Sequence, residues 1–248
     1  PTVESWGTPI VLESGGGSDY LDGVHNASGY IVAVWRDDTN SYNGTARALT
    51  ISGTTLTAGS SDVIFHSAQT SDIAICSYPP TGSKVLIAYF DSSGGGSAHN
   101  LVGTCSGSGS NPTITFGSPT QFNSGNTSYI DCIYDDSYQR LVNVFRDSAN
   151  SNYGTLQSMT VSGTTITADQ TLIYCSAISM HNTVAFDPTH YKLAISSQNY
   201  SVTPSGSGAT YIASYSSGYS VGSPVKFMEG NCQYIESDYD KENDYLIV

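Results

Sequence analysis

The sequence predicts an all-β fold, specifically a β-propeller built of four-stranded antiparallel blades. Three observations predict it. One block of the chain occurs twice, at residues 35–60 and 145–170, with 13 of its 26 positions identical. Apolar and polar residues alternate at period two over short runs, which is typical of β-strands. No window carries apolar residues at helical spacing over a length that would form a helix.

The repeat length decides between the architectures open to such a chain. Apolar anchor residues recur about every 54 residues, so the two matching blocks are two units apart. Solenoid coils are shorter, roughly 20–30 residues, and a four-stranded sheet must bury both faces against neighbours. The length therefore favours a propeller, with residues 1–248 forming a single repeat domain. The anchors are Leu12, Phe65, Phe122, Tyr174 and Phe227.

Each unit is predicted to pass through its four strands in the same order. A turn rich in Asp or Pro joins the first strand to the second, and a loop of Asn, Ser and Gly leads to the third. A Ser-Gly-Thr tip follows, and the fourth strand closes on a Gly-Ser/Thr-Pro step, because Pro cannot continue a ladder. The first strands align one column of residues, which we expect near the axis: Tyr20, Ile73, Tyr129, His181 and Tyr234.

The composition of the chain limits the kinds of molecule that it is expected to bind. The chain has 8 Lys and Arg against 21 Asp and Glu, a net charge of −13. Such a surface repels phosphate backbones and anionic lipids, so we expect no nucleic-acid binding. No apolar run approaches 18 residues, and no membrane insertion is expected. The five cysteines follow no metal-ligand spacing and are predicted to be small core residues, with a disulfide of unknown position as the alternative.

Four N-glycosylation sequons occur, about the number that chance gives in a chain this rich in Ser and Thr. Their predicted loop positions permit glycans in a eukaryotic secretory setting. The sequon asparagines are Asn26, Asn43, Asn126 and Asn199.

The ends of the chain match the interior of a unit. Residues 3–9 align with 113–119, and Val248 stops short of a Phe-Arg-Asp step. Five complete units would need roughly 270 residues. We therefore expect the chain to continue at both ends, with an arginine about three residues beyond Val248.

Residues 129–167 carry a family resemblance. They read Tyr-Ile-x-x-x-Tyr-Asp, then Leu-Val-x-Val-Phe-Arg-Asp, Asn-Ser-Asn-Tyr-Gly-Thr and Val-Ser-Gly-Thr-x-Ile-Thr. This pattern resembles a propeller-type tandem repeat of surface and fibre proteins from aquatic microbes and their phages. The resemblance implies a propeller in an extracellular, array-like setting and brings no assigned activity. A weaker similarity links residues 5–9 to sialidase-type propellers, although their Ser-x-Asp-x-Gly-x-Thr-Trp box is not matched.

The catalytic alternatives find little support in the residues. A glycosidase needs two carboxylates facing each other across a pocket, but Asp22, Asp131 and Glu236 share one repeat column, which favours an architectural role. Arg36 and Arg146 are likewise repeat positions. Because these acids and arginines occur together in units one and three, we predict buried ion pairs within those units, Asp22 with Arg36 and Asp131 with Arg146.

The loops at 37–44 and 147–154 are the predicted ligand-binding surface. Their clustered oxygens are compatible with Ca²⁺, but Asx turns explain the same residues better. Exposed tyrosines beside amides suit stacking on a sugar ring; packing of those tyrosines on the next unit is the competing interpretation. The candidate binding residues are Trp35, Tyr42 and Asn43, with their counterparts Phe145, Asn152 and Tyr153.

The sequence thus predicts a non-catalytic extracellular propeller module for adhesion, glycan recognition or fibre assembly. Its expected partners are glycans, cell-surface components or copies of itself, and no cofactor is expected. Two alternatives stay open: a carbohydrate-active hydrolase of sialidase type, and a purely structural filament subunit.

Overall fold

The computed structural model describes residues 7–109 and 111–248. The secondary structure of these residues consists of antiparallel strands joined by turns and loops, with one short 3₁₀ turn at Pro79–Thr81. None of the helices in this part of the chain is long and apolar enough to cross a bilayer.

The strands fall into five successive units. Unit one contains β1 (Ser18–His25), β2 (Tyr30–Asp37), β3 (Asn43–Ser52), β4 (Thr55–Ala58) and β5 (Val63–His66). Unit two contains β6 (Thr70–Tyr78), β7 (Lys84–Asp91), β8 (Ser97–Ser106), β9 (Thr113–Phe116) and β10 (Thr120–Asn123). Units three and four contain β11 (Thr127–Asp135), β12 (Arg140–Asp147), β13 (Tyr153–Ser162), β14 (Thr165–Asp187), β15 (Lys192–Asn199), β16 (Ser207–Tyr215), β17 (Tyr219–Val221) and β18 (Val225–Met228). Unit five contains β19 (Asp238–Asp240) and β20 (Tyr245–Ile247).

The strand order matches the predicted meander. In units one and two the first, second and third strands pair in sequence, and two short strands share the outer edge of the third. Strand β14 is continuous between units three and four: its beginning pairs with β13 and its end pairs with β15. Units three and four therefore share one sheet.

The core lies between the faces of successive sheets. On β7, Val85 and Ile87 belong to the apolar cluster shared with unit one, whereas Leu86 and Ala88 belong to the cluster shared with unit three. A third cluster joins units three and four. Because side chains alternate along a strand, each interior sheet buries both faces and depends on its neighbours.

Aromatic anchors pack on glycines of the third strands. A Cβ added to Gly44 would lie 2.4 Å from the Phe65 ring, and one added to Gly154 would lie 2.5 Å from the Tyr174 ring. Phe227 takes the same place over Gly208. The glycine in this repeated position therefore makes room for the anchor that follows it.

We expect Gly154→Ala to lower the free energy of unfolding by about 1–2 kcal/mol, because the Tyr174 ring is fixed by hydrogen bonds to Ser179 and Asn182 and cannot move aside. Chemical denaturation measures the loss. Gly222→Ala is the matched control, since its nearest neighbour to an added Cβ is 3.7 Å away. Equal losses in the two variants would contradict the packing argument.

A β-bulge interrupts the first strand of each of the first four units, where the pairing register shifts. One residue in each bulge has a positive φ, and the equivalent residue before β19 does too: Tyr20, Asp72, Tyr129, His181 and Tyr234. The predicted column was therefore one residue wrong in unit two, where Asp72 rather than Ile73 occupies the position. A bulge adds one residue to a strand, so spacing along the sequence does not tell which residue takes the bulged position.

The predicted ion pairs are wrong. Arg36 pairs with Asp19 and Asp38 instead of Asp22. Arg146 lies in register with Ser128, upstream of the bulge, whereas Asp131 lies in register with Val144 downstream of it. The bulge separates acid from arginine, and Asp131 accepts hydrogen bonds from unit four instead.

All five cysteines are buried and free, as the core interpretation predicted. The sequon prediction is wrong for three asparagines, because a glycan needs an accessible side-chain amide. Asn26, Asn43 and Asn199 are at most 7% exposed, and Asn199 donates its Nδ2 hydrogen to the Tyr211 hydroxyl. Only the sequon at Asn126 lies at an exposed residue.

Candidate functional site

The first strands of all five units line one channel of about 510 Å³. A second cavity of about 460 Å³ adjoins it, and Tyr20, Ile73 and Ile130 line both. This second cavity, here called the mouth, is lined by the five left-handed residues of the first strands together with Ser128 and Arg146. The repeat thus brings one residue from every unit to one opening.

Aromatic and imidazole rings surround the mouth. The rings of Tyr129 and His181 have centroids 4.8 Å apart, and those of His181 and Tyr234 lie 5.3 Å apart. Tyr20 is 42% exposed, with the Arg36 guanidinium 5.0 Å from its ring centre, and Tyr234 is 86% exposed. Left-handed backbone is uncommon for residues with a bulky side chain. In units one to four the strand pairing on both sides of the bulge holds this conformation.

Acidic side chains connect the first strands of units one, two and three to the next unit. Asp22 accepts a hydrogen bond from the Ile75 amide at 2.9 Å, and Asp131 accepts one from the Val184 amide at 2.7 Å. In the mouth itself, Asp72 accepts one from the Tyr129 amide at 2.6 Å. Buried charge-assisted bonds of this kind are short and strong. They fix the first strands, and with them the mouth, relative to one another.

The channel raises the pKa of its carboxyls. Burial raises the pKa of Asp131 to about 7, and the charge of Asp22 adds to the shift against the hydrogen bonds that Asp131 accepts. Burial also raises the pKa of Asp22. It raises the pKa of Glu236 as well, and the charge of Asp22 adds to that shift. The channel therefore holds carboxyl groups that take up protons more readily than exposed ones.

The loop residues predicted to bind a ligand differ in how far their side chains are buried. Trp35 and Phe145 are 1% and 2% exposed and pack in the core, and Asn43 is 7% exposed, so the prediction is wrong for these three. The alternation of residues along the strand does not predict this burial, because both faces of the sheet are buried here. Tyr42 is 46% exposed and lies over the Arg36 guanidinium at 5.3 Å. For Tyr42 and the half-buried Asn152 and Tyr153, binding stays a prediction.

Asx turns account for the oxygens of the two loops. Asp37 Oδ1 accepts hydrogen bonds from the amides of Thr39 and Asn40, and Asp147 Oδ1 accepts one from the Ala149 amide. The oxygens that the Ca²⁺ interpretation requires thus bind the loop's own backbone, so the donor set does not fit the ion.

A third cavity, of about 400 Å³, lies between unit four and the β19–β20 hairpin. Asp187, His190 and Asp244 meet at its edge, with His190 Nδ1 2.8 Å from Asp187 Oδ2. Asp187 also accepts hydrogen bonds from the Thr189 and His190 amides. The Asp187 carboxylate therefore caps its own turn, as the Asp135 carboxylate does in unit three.

Comparison with known proteins gives a fold and no family. No protein-family model and no curated protein matches the chain. Among solved structures, it resembles an arginine-to-alanine triple mutant of AofleA from Arthrobotrys oligospora, at 7% identity and TM-score 0.59 over 93% of this chain. The three substituted arginines of that protein stand 53 residues apart.

It also resembles the sialidase of Trypanosoma rangeli in complex with 2,3-difluorosialic acid as a covalent intermediate, at 15% identity and TM-score 0.53 over 90% of this chain. The chain spans 64% of the first structure and 40% of the second. At these identities the likeness supports an all-β, propeller-like fold and nothing finer.

Proposed function

We propose that this chain is a non-catalytic glycan-recognition module and that the axial mouth is its binding site. The observation that carries the proposal is the set of rings at the mouth, one from each of four units, held by the same left-handed backbone conformation. Aromatic faces with a few fixed polar groups are the usual lining of small-ligand sites. The C–H face of a sugar ring can stack on Tyr129 or Tyr234, while Ser128 and Asp72 can bond its hydroxyls.

The architecture supports this assignment. Five units share one axial channel, and we infer that they form the blades of one propeller around it. One of the solved structures that the chain resembles is a sialidase in complex with 2,3-difluorosialic acid. The proposal places the module outside the cell, in an adhesin or surface fibre, on the resemblance of its repeat.

The channel carboxyls favour binding over catalysis. Asp22 accepts two backbone hydrogen bonds, from Gly23 and Ile75, and Asp131 accepts bonds from Cys132, Thr183 and Val184. Carboxyls engaged in this way hold units together, whereas a catalytic pair must face the scissile bond.

The test removes ring faces without straining the backbone. Asn tolerates the left-handed conformation, so Tyr129→Asn combined with Tyr234→Asn deletes two rings and leaves the bulges intact. We expect at least a tenfold loss of affinity for glycans that the native protein captures on an array, since each ring contributes about threefold to tenfold.

Tyr191→Asn is the matched control. Tyr191 is also left-handed, with φ of 55°, is 53% exposed and lies outside the mouth. Its variant should bind like the native protein. An array on which the native protein captures no glycan, or equal binding by all variants, would refute the proposed function.

A carbohydrate-active hydrolase is the second candidate, and one observation favours it: three carboxyls with raised pKa values line a channel that opens at the mouth. If it is correct, the protein should release the aglycone from a chromogenic glycoside, and Asp131→Asn and Glu236→Gln should each abolish release. Absence of turnover across a panel of such glycosides favours the binding module.

A further inference from the structure

Arg36 and Arg146 occupy the same position in units one and three but have different partners. The Arg36 guanidinium donates to Asp38 Oδ1 at 2.6 Å and to Asp19 Oδ2 at 2.5 Å, and it lies against the rings of Tyr20 and Tyr42. Two carboxylates therefore neutralise its charge.

Arg146 has lost both acids. Serines stand at the equivalent positions 128 and 148, and Asn152 stands where unit one has Tyr42. Arg146 Nε donates to Ser128 Oγ at 2.9 Å, and the guanidinium lies 4.8 Å from the centre of the Tyr129 ring. Within residues 7–109 and 111–248, no carboxylate forms an ion pair with Arg146, and its two terminal nitrogens donate to no protein acceptor.

Arg146 lines the mouth. Its charge lowers the pKa of the neighbouring Asp72 against the rise that burial causes, but no carboxylate of the described residues forms an ion pair with it. In a chain of net charge −13, a half-buried guanidinium without such an ion pair is unusual. The planar fork of arginine matches the two oxygens of a carboxylate. Burial and the charge of Arg146 also lower the pKa of the neighbouring His181, so the imidazole adds no second positive charge near neutral pH.

We propose that the mouth selects sugars that carry a carboxylate, such as hexuronates, and that Arg146 binds this carboxylate while the rings stack on the sugar. The inference rests on the proposed function and names its ligand class. Arg146 supplies a single positive charge and two parallel donors, which suits one carboxylate on a pyranose ring better than a multiply charged phosphate.

Asp72 also lines the mouth, and its charge leads to a second prediction. Its Oδ1 accepts the Tyr129 amide hydrogen, and its remaining charge faces the same cavity as Arg146. A bound carboxylate is repelled by Asp72, so Asp72→Asn should tighten hexuronate binding. Asn keeps an oxygen acceptor for the Tyr129 amide and tolerates the left-handed φ of 47° at this position.

The experiment compares two ligands with the same sugar backbone, titrated by isothermal calorimetry: trigalacturonic acid, and its fully methyl-esterified form, in which each carboxylate is replaced by a neutral methyl ester. For Arg146→Gln we expect binding of the acid to weaken about tenfold to a hundredfold, because a charge-assisted hydrogen-bonded contact is lost. Binding of the methyl ester should change by less than about threefold. Arg47→Gln is the control, since it removes an arginine that pairs with Asp62 away from the mouth.

Four results would overturn the inference: equal affinity of the native protein for acid and ester, an equal loss for both ligands in Arg146→Gln, no binding of the acid at all, or a sulfated trisaccharide bound more tightly than the uronate. The first two leave the proposed function standing if Tyr129→Asn with Tyr234→Asn still lowers the affinity for captured glycans by about tenfold or more. Circular dichroism of each variant separates loss of binding from loss of fold.

Discussion

Phe145→Ala is expected to lower the free energy of unfolding by about 3–5 kcal/mol. The ring is 2% exposed, lies 5.3 Å from the Phe122 ring in an edge-on contact, and belongs to the cluster that joins units two and three. Paired strands enclose this cluster on both sides, so the vacated space cannot collapse. Equilibrium denaturation in urea measures the loss, and Phe145→Leu should recover more than half of it.

The control for this prediction is Tyr42→Ala, at another aromatic residue that the sequence predicts to contact a ligand. Tyr42 is 46% exposed and its main contact is with the Arg36 guanidinium, so its loss should cost about 0.5–1 kcal/mol. A loss below about 1 kcal/mol for Phe145→Ala would show that the inter-unit core is loosely packed, contrary to the structure.

The second large effect is on the pH dependence of stability. The pKa of Asp131 is raised to about 7 in the folded protein, against 3.8 for an unperturbed aspartate, because burial disfavours its charge. A group with a raised folded pKa contributes stability that is fully present below its unfolded pKa and is lost as the pH rises through the folded value. The fold should therefore lose stability between about pH 4 and pH 7.

The expected loss is about 2–3 kcal/mol. Each pKa unit corresponds to about 1.4 kcal/mol, and the channel leaves Asp131 only half-buried, which reduces the full effect. Asp22 and Glu236, whose pKa values are also raised, act in the same direction. Urea midpoints measured from pH 4 to pH 8 should fall in the native protein and much less in Asp131→Asn. His99 and His181, whose pKa values burial lowers, act in the opposite direction over part of this interval. The same pH dependence in the native protein and in Asp131→Asn would therefore contradict the assignment.

The repeat made most of the architecture readable from sequence. Strand order, the anchors that pack on Gly44 and Gly154, and the burial of Cys76 and Cys132 follow from residues that recur at one spacing. Recurrence works here because each unit must bury both faces against its neighbours, so the same positions need the same sizes. The spacing of a repeat carries no information on ring closure, which depends on tertiary packing.

The bulges explain what the sequence could not reveal. Alternation predicts which face a side chain takes only while the register is unbroken, and each first strand breaks it. Asp131 and Arg146 were therefore expected to pair, although the bulge directs Asp131 toward Val184. The mouth had a visible signal in the aligned column of Tyr20, Tyr129, His181 and Tyr234, but nothing in the residues showed that these side chains line a cavity.

The left-handed positions of the first strands have a consequence for how such a protein can change. The backbone geometry at each is nearly the same, with φ between 47° and 56°, yet the side chains are three tyrosines, a histidine and an aspartate. Chain direction at these points is set by the pairing of the strands and not by the residue that occupies them. The side chains that line the mouth can therefore diversify by single substitutions at five sites, in evolution or by design, while the scaffold stays as it is.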